Sequence, residues 1–172
     1  NMSYFTNFGK ILYDPVGDGN PRVVTNIMSR VRMRTNMKKN VIMLEPYQVQ
    51  ENETPEIVAD KHHGSPYYHW VVMLLNDISD INHDWVKSTR QMQKYLLSKY
   101  TETQLTEAHH YEISQTSGDT TIKIEVENAT YPSASTVTNY EYEVALNDGK
   151  RSIDLLRNEY LGFFEDEFQS LI

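Results

Sequence analysis

At 172 residues the chain is long enough to bury a core of its own, and its 39% apolar content with 12 tyrosines describes a folded protein with much amphipathic surface. The absence of cysteine excludes disulfides and thiolate metal sites, and no apolar run reaches the length of a membrane span or has the form of a secretory signal. The net charge of −8 conceals a division: residues 1–44 hold seven basic side chains against Asp14 and Asp18, a net +5, leaving −13 on the rest, a polarity suited to assembly with charged neighbours.

Residues 4–24 are dense in turn signals, Asp14-Pro15 and Gly17-Asp18-Gly19-Asn20-Pro21, and predict an extended arm carrying Phe5, Phe8, Ile11, Leu12 and Tyr13. An arm has little core of its own, so Tyr4, Phe5, Phe8 and Tyr13 are candidate partner contacts. From Thr25 as N-cap, Ile27, Met28 and Val31 predict one side of a short helix, with Arg30, Arg32 and Arg34 around its other faces. These arginines read as a basic protein-docking edge. The run RVRMRTNMKK could also touch phosphate, but it has no aromatic platform in register and the remainder of the chain is acidic, so no nucleic-acid partner is expected.

Val41–Leu44 and Tyr47–Val49 read as strands broken at Pro46. Thr54-Pro55-Glu56 is a helix start, followed by Ile57 and Val58 and stopped at Gly64. Ser65-Pro66 repeats the signal for a helix to about Leu75 that is apolar nearly all round, with Trp70, Val71, Met73 and Leu74, and is expected at the centre of the core. Trp85 follows, then Ser88 caps a third helix to Tyr100 with the stripe Met92, Tyr95 and Leu96. Residues 109–127 alternate in two runs about Ser117-Gly118-Asp119, a β-hairpin pattern, and residues 130–138 read as a loop. Tyr140, Tyr142, Val144 and Leu146 predict a second hairpin turning at Asp148-Gly149 into Ile153 and Leu155, with a helix over 139–147 as the alternative. Asn158 caps a last helix with Leu161, Phe164, Phe168 and Leu171 at helical spacing. The expected organisation is an α+β chain with an arm and basic segment over 1–40, a helical core over 41–101, and a β-hairpin and helix region over 102–172. Tyr47, Ile57, Trp70, Leu74, Trp85 and Tyr95 are the expected structural core.

No chemistry is legible. The pairs His62-His63 and His109-His110 are adjacent and lack the i, i+4 spacing of a helical zinc site. Asp77, Asp80 and Asp84 lack the turn glycine and distal glutamate of a calcium loop. No phosphate loop or nucleophile elbow occurs, so neither an enzyme nor a cofactor is expected.

Two resemblances carry further. Tyr47-x-Val49, Glu53-Thr54, Ile57, Ala59, His63-Gly64 and Leu75-Asn76 resemble a LysM module, a strand-helix-helix-strand binder of peptidoglycan, although Asn52 replaces its turn glycine, Pro55 its leucine, and no second strand is evident after Asp80. A match over nearly the whole chain is similar to the baseplate wedge protein of contractile-tailed phages, the gene product 53 family. It rests on Tyr47, Thr54-Pro55-Glu56, Gly64-Ser65-Pro66, Tyr68, Trp70-Val71-Val72, Leu75-Asn76-Asp77, Trp85, Tyr95 and Lys99-Tyr100. The arm Phe5-x-x-Phe8 and Tyr13-Asp14 adds to it, as does the tail Tyr142-Glu143, Asn147, Lys150-Arg151 and Ile153. This resemblance implies an embedded LysM-like unit and a non-enzymatic virion protein, made in the host cytoplasm, that joins baseplate wedges around the tail hub. Its partners would be other wedge proteins and the hub, with no membrane. Peptidoglycan binding is the alternative implied by the LysM likeness alone.

Overall fold

The computed structural model describes residues 4–29 and 42–171. In chain order the strands are β1 (Lys10–Tyr13), β2 (Arg22–Thr25), β3 (Leu44–Gln48), β4 (Ala108–Ser117), β5 (Thr120–Val126), β6 (Ser135–Thr138) and β7 (Ser152–Leu156). The α-helices among the described residues are α1 (Pro55–His63), α2 (His69–Leu75), α3 (Ile81–Asp84), α4 (Thr89–Lys99), α5 (Glu102–Thr106), α6 (Asn139–Gly149) and α7 (Leu161–Ser170). The protein is therefore mixed α+β with small antiparallel sheets. It divides into two compact units: one drawn from the chain up to Asp84 and from Ser152 onward, the other Trp85–Arg151.

In the first unit the local signals act as the sequence suggests. Pro55 opens α1 where a missing N–H costs nothing, Glu56 faces the positive end of the helix, and Gly64 closes it at φ +73 with its N–H on Asp60 O at 2.9 Å. Ser65 caps the turn Pro66–Tyr68 that leads into α2. Trp70 and Val71 on α2 meet Met43, Leu44, Leu156, Phe164 and Phe168 in one buried cluster, so α2 is the central helix. Trp70 lies 4.6 Å from the Phe168 ring centre and stacks on Phe164 at 5.8 Å.

Four expectations in this unit are corrected. Residues 4–25 are not an extended arm: β1 and β2 pair as an antiparallel hairpin, Lys10 opposite Thr25 and Tyr13 opposite Arg22. Thr25 therefore ends a strand and caps no helix, while Val31 and the three arginines lie outside the described residues. β3 runs unbroken through Pro46, which sits opposite Asp154 of β7. Each strand of a two-stranded sheet is an edge, so the missing N–H can face away from the ladder. Ile57 is 41% exposed and is not core, because α1 turns Pro55, Val58 and Ala59 inward. Of the other expected core positions in this unit, Trp70 is buried, Leu74 packs against the cluster, and Tyr47 is half-buried. The partner of β3 lies over 100 residues away in sequence, at β7, where Leu156 pairs with Leu44 and Ile153 with Tyr47.

In the second unit, Ser88, Thr101 and Thr138 each open a helix with a capping box, reciprocated by Gln91, Gln104 and Glu141. Trp85 is buried and Tyr95 half-buried. β4 and β5 form the expected hairpin, closed by Gly118-Asp119 with Gly118 at φ +61, and β6 pairs with the other side of β4 where a loop was expected. The second hairpin is overturned in favour of the helical alternative: residues 139–149 are α6. Its apolar alternation misleads because α6 buries Glu143 and Asn147, one turn apart, and leaves Tyr140 and Leu146 exposed.

Candidate assembly surface

The β1–β2 hairpin exposes apolar side chains on a frame closed by a hydrogen-bonded turn. Asp14 sets that frame: its carboxylate accepts the backbone N–H groups of Val16, Gly17, Asp18 and Gly19, at 2.7 Å from Gly17 and 2.8 Å from Gly19. These bonds, Gly19 foremost, hold its pKa below the usual carboxylate value. Gly17 and Gly19 both take positive φ, which the turn requires and which glycine adopts without strain. Directly opposite each other on the strands, Leu12 is 69% and Val23 66% exposed. Val16 in the loop and Ile27 and Met28 just after β2 are exposed as well. Leu12 and Val23 thus form an apolar cross-strand pair exposed to water, a candidate contact surface.

The structure divides the residues expected to meet partners. Phe8, only 4% exposed, belongs to the protein's own core, where it packs on Tyr4 and Phe168. That corrects its assignment as a partner contact, since the ring is already covered. Tyr4 is half-buried against Trp70 and Phe168, and burial pushes its phenol pKa up. Phe5 and Tyr13 remain half exposed. Arg30, Arg32 and Arg34 lie outside the described residues. Val16 and Val23 carry no signal of their own in the sequence, and Ile27 and Met28 pointed there to a helix face. The signal lay in the turn cluster at 14–21, which can join two strands as readily as it can extend an arm.

The buried carboxylates are structural. Glu53 accepts from the Tyr47 hydroxyl at 3.0 Å, from the Gln50 N–H at 2.8 Å and from Lys61. Glu143 accepts from Lys99 and from the Tyr100 hydroxyl at 3.0 Å. Burial alone would raise both acids, but the donors, the lysines above all, outweigh it and hold both pKa values below the ordinary one. Their oxygens are committed to those donors. Neither carboxylate is poised as an acid or base.

The adjacent histidine pairs likewise have local partners. His62 meets Leu156 O through Nε2 at 2.9 Å, and His63 meets Asn158 Oδ1 through Nδ1 at 2.8 Å. Burial holds His63 below the usual imidazole pKa. His109 stacks on Tyr142 at 3.8 Å between ring centres. Among the described residues no group of three or more His, Asp or Glu side chains could hold a metal ion, and no helix is long and apolar enough to cross a membrane.

Comparison with protein families identifies the chain: the family described as base plate wedge protein 53 matches residues 3–134, about three quarters of the chain. The chain belongs to this family. No curated protein matches it. As a family member it is a structural component of a phage tail baseplate, part of the virion and not an enzyme. Its partners are accordingly other baseplate proteins. The match takes in the β1–β2 hairpin, α1 to α5 and the β4–β5 hairpin.

Proposed function

We propose that this baseplate protein joins neighbouring wedge subunits, and reaches toward the tail hub, through the β1–β2 hairpin and the basic residues Arg30, Arg32 and Arg34 that follow it in sequence. The observation that carries this reading is the exposed Leu12–Val23 pair on a hairpin whose adjoining residue Phe8 is fixed in the core. Anchoring the base of the hairpin lowers the conformational entropy lost on docking, so a small apolar contact suffices. Phe5 and Tyr13 extend the contact, while the +5 charge of residues 1–44 steers it toward acidic partners.

Within the first unit, β3, α1, α2 and β7 are read as a LysM-like strand-helix-helix-strand unit whose last strand follows a long insertion. Support comes from the antiparallel β3–β7 pairing and from Asn52, which stands at the turn glycine's position and takes φ +64. The side-chain amide of Asn76 adds to it by bridging Asp154, donating to its carbonyl at 2.8 Å and accepting from its N–H at 2.9 Å.

The test is co-sedimentation with purified baseplate wedge proteins across a salt series. Leu12→Asp and the triple substitution of Arg30, Arg32 and Arg34 by Gln should each weaken association, and only the arginine variant should flatten its salt dependence. Undiminished association of both variants would overturn the reading. The LysM likeness also allows glycan binding; saturable retention on peptidoglycan, competed by soluble chitooligosaccharide, would add that role.

A further inference from the structure

The sheet of the second unit ends on an open edge with an unusual property: it is complementary to itself. β5 is an outer strand in the order β5-β4-β6, and no residue of the three strands is fully buried. Among the described residues, no backbone bond from outside the sheet reaches β5. In a hairpin closed by two residues the flanking pair, Ser117 and Thr120, is hydrogen-bonded, and such pairs then alternate along the ladder. Residues 120, 122, 124 and 126 thus direct their peptide groups to β4, while Thr121, Lys123 and Glu125 direct theirs outward. An open row of this kind is a template for another strand.

The side chains select which strand. Ile122, Ile124 and Val126 share one face of β5, and Thr121, Lys123 and Glu125 the other. Suppose a second β5 pairs antiparallel about a two-fold axis at Ile124. Lys123 then faces Glu125 of the other copy twice, Ile122 faces Val126 twice, and Ile124 faces itself. Moving the axis one residue sets Lys123 against Lys123 or Glu125 against Glu125. Moving it two residues sets Asp119 against Glu125, or Glu125 against Glu127. A single register therefore satisfies charge and apolarity together, and in it the outward peptide groups of 121, 123, 125 and 127 meet one another.

Glu125 also has a reason to seek a cation. It lies opposite Glu112, and Lys123 is already drawn to Glu112 at 3.0 Å. Like charges directly across a ladder are unfavourable, and the second copy's Lys123, set opposite Glu125, would be shared between Glu125 and its own Glu112.

We propose that the β5 edge is a homotypic interface, at which two copies of this chain join their three-stranded sheets into one continuous antiparallel sheet through β5–β5 pairing centred on Ile124. Sedimentation velocity on the full chain over a concentration series tests it. The chain should show a reversible dimer that Lys123→Glu and Glu125→Lys each weaken by roughly tenfold, and that the double reversal restores. Circular dichroism and the unfolding midpoint check that each variant folds. A second readout uses the lack of cysteine in the chain. Opposed residues at the axis form a non-hydrogen-bonded pair with Cα atoms about 4.5 Å apart, within disulfide reach. Ile124→Cys should form a covalent dimer on mild oxidation, whereas Thr120→Cys, whose copies would lie on the order of 25 Å apart, should not. A chain that stays monomeric, with Ile124→Cys cross-linking no faster than Thr120→Cys, would overturn the proposal. A dimer indifferent to both charge reversals would do so equally, by placing the interface elsewhere.

Discussion

The two units share polar parts and differ in what those parts surround. Each contains a glutamate held by a lysine and a tyrosine: Glu53 with Lys61 and Tyr47 in the first, Glu143 with Lys99 and Tyr100 in the second. Each also has an asparagine whose amide closes on one backbone residue as a neighbouring strand would. Asn76 does so on Asp154, and Asn147 on Lys87 at 2.8 and 3.0 Å. In the first unit these clamps accompany an aromatic core assembled from segments far apart in sequence. In the second they sit on the buried face of α6 itself, beside a sheet with no buried residue. Both units bury apolar side chains, in the second Trp85, Val86, Met92 and Leu96, but only in the first do aromatic rings from distant segments gather in one cluster.

The sharpest break to that contrast is Trp70→Ala, which removes the ring that Phe164, Phe168 and Tyr4 pack against. It should cost about 3–5 kcal/mol in denaturant unfolding, enough to unfold a marginal first unit. Glu143→Gln leaves Lys99 facing a neutral amide. Because Lys99 is about half exposed, water offsets part of the loss, and the cost should be about 1–2 kcal/mol, read in the second unit by hydrogen exchange. Thr138→Ala removes the cap of α6 and should cost about 1 kcal/mol, with Glu141→Ala adding less than its own single effect because the two belong to one box.

Acid separates the polar contributions by pH. Glu53 and Glu143 are depressed in the folded state from an ordinary value of 4.5, so the unfolded chain takes up their protons first. Their stabilisation is complete above pH 4.5 and is lost as pH falls from there through the lowered folded values. His63 is also depressed, from 6.5, so stability in the first unit should begin to decline below pH 6.5, before either carboxylate titrates. Asparagine at His63 should remove the earlier decline and keep the later one in a urea-unfolding series against pH. The smallest expected effect on stability is that of Leu12→Asp, within about 0.5 kcal/mol because the side chain is already in water, even though association should suffer.

What could be read in advance follows the same contrast. Signals that act within a few residues were legible: Pro55 and Gly64 bound α1, Ser88 caps α4, and Gly118 turns the β4–β5 hairpin. The capping box Thr138-x-x-Glu141 was equally local, yet the alternation of Tyr140, Tyr142, Val144 and Leu146 spoke more loudly for a strand. That alternation has no bearing on burial, because α6 turns polar residues inward. Pairings across the chain were not legible. The partner of β3 follows the whole second unit in sequence, and nothing near Phe8 indicates that Trp70 and Phe168 will cover it. Of the assembly surface, Phe5 and Tyr13 were within reach. Val23 becomes visible only once β2 is set against β1.

Hydrogen exchange of the free protein against the same protein in assembled baseplate wedges tests the central claim most directly. Residues 10–25 should gain protection on assembly, while α2 and β7, already closed in the core, should exchange alike in both states. Equal exchange of residues 10–25 in the two states would show that the hairpin meets no partner and would contradict the account.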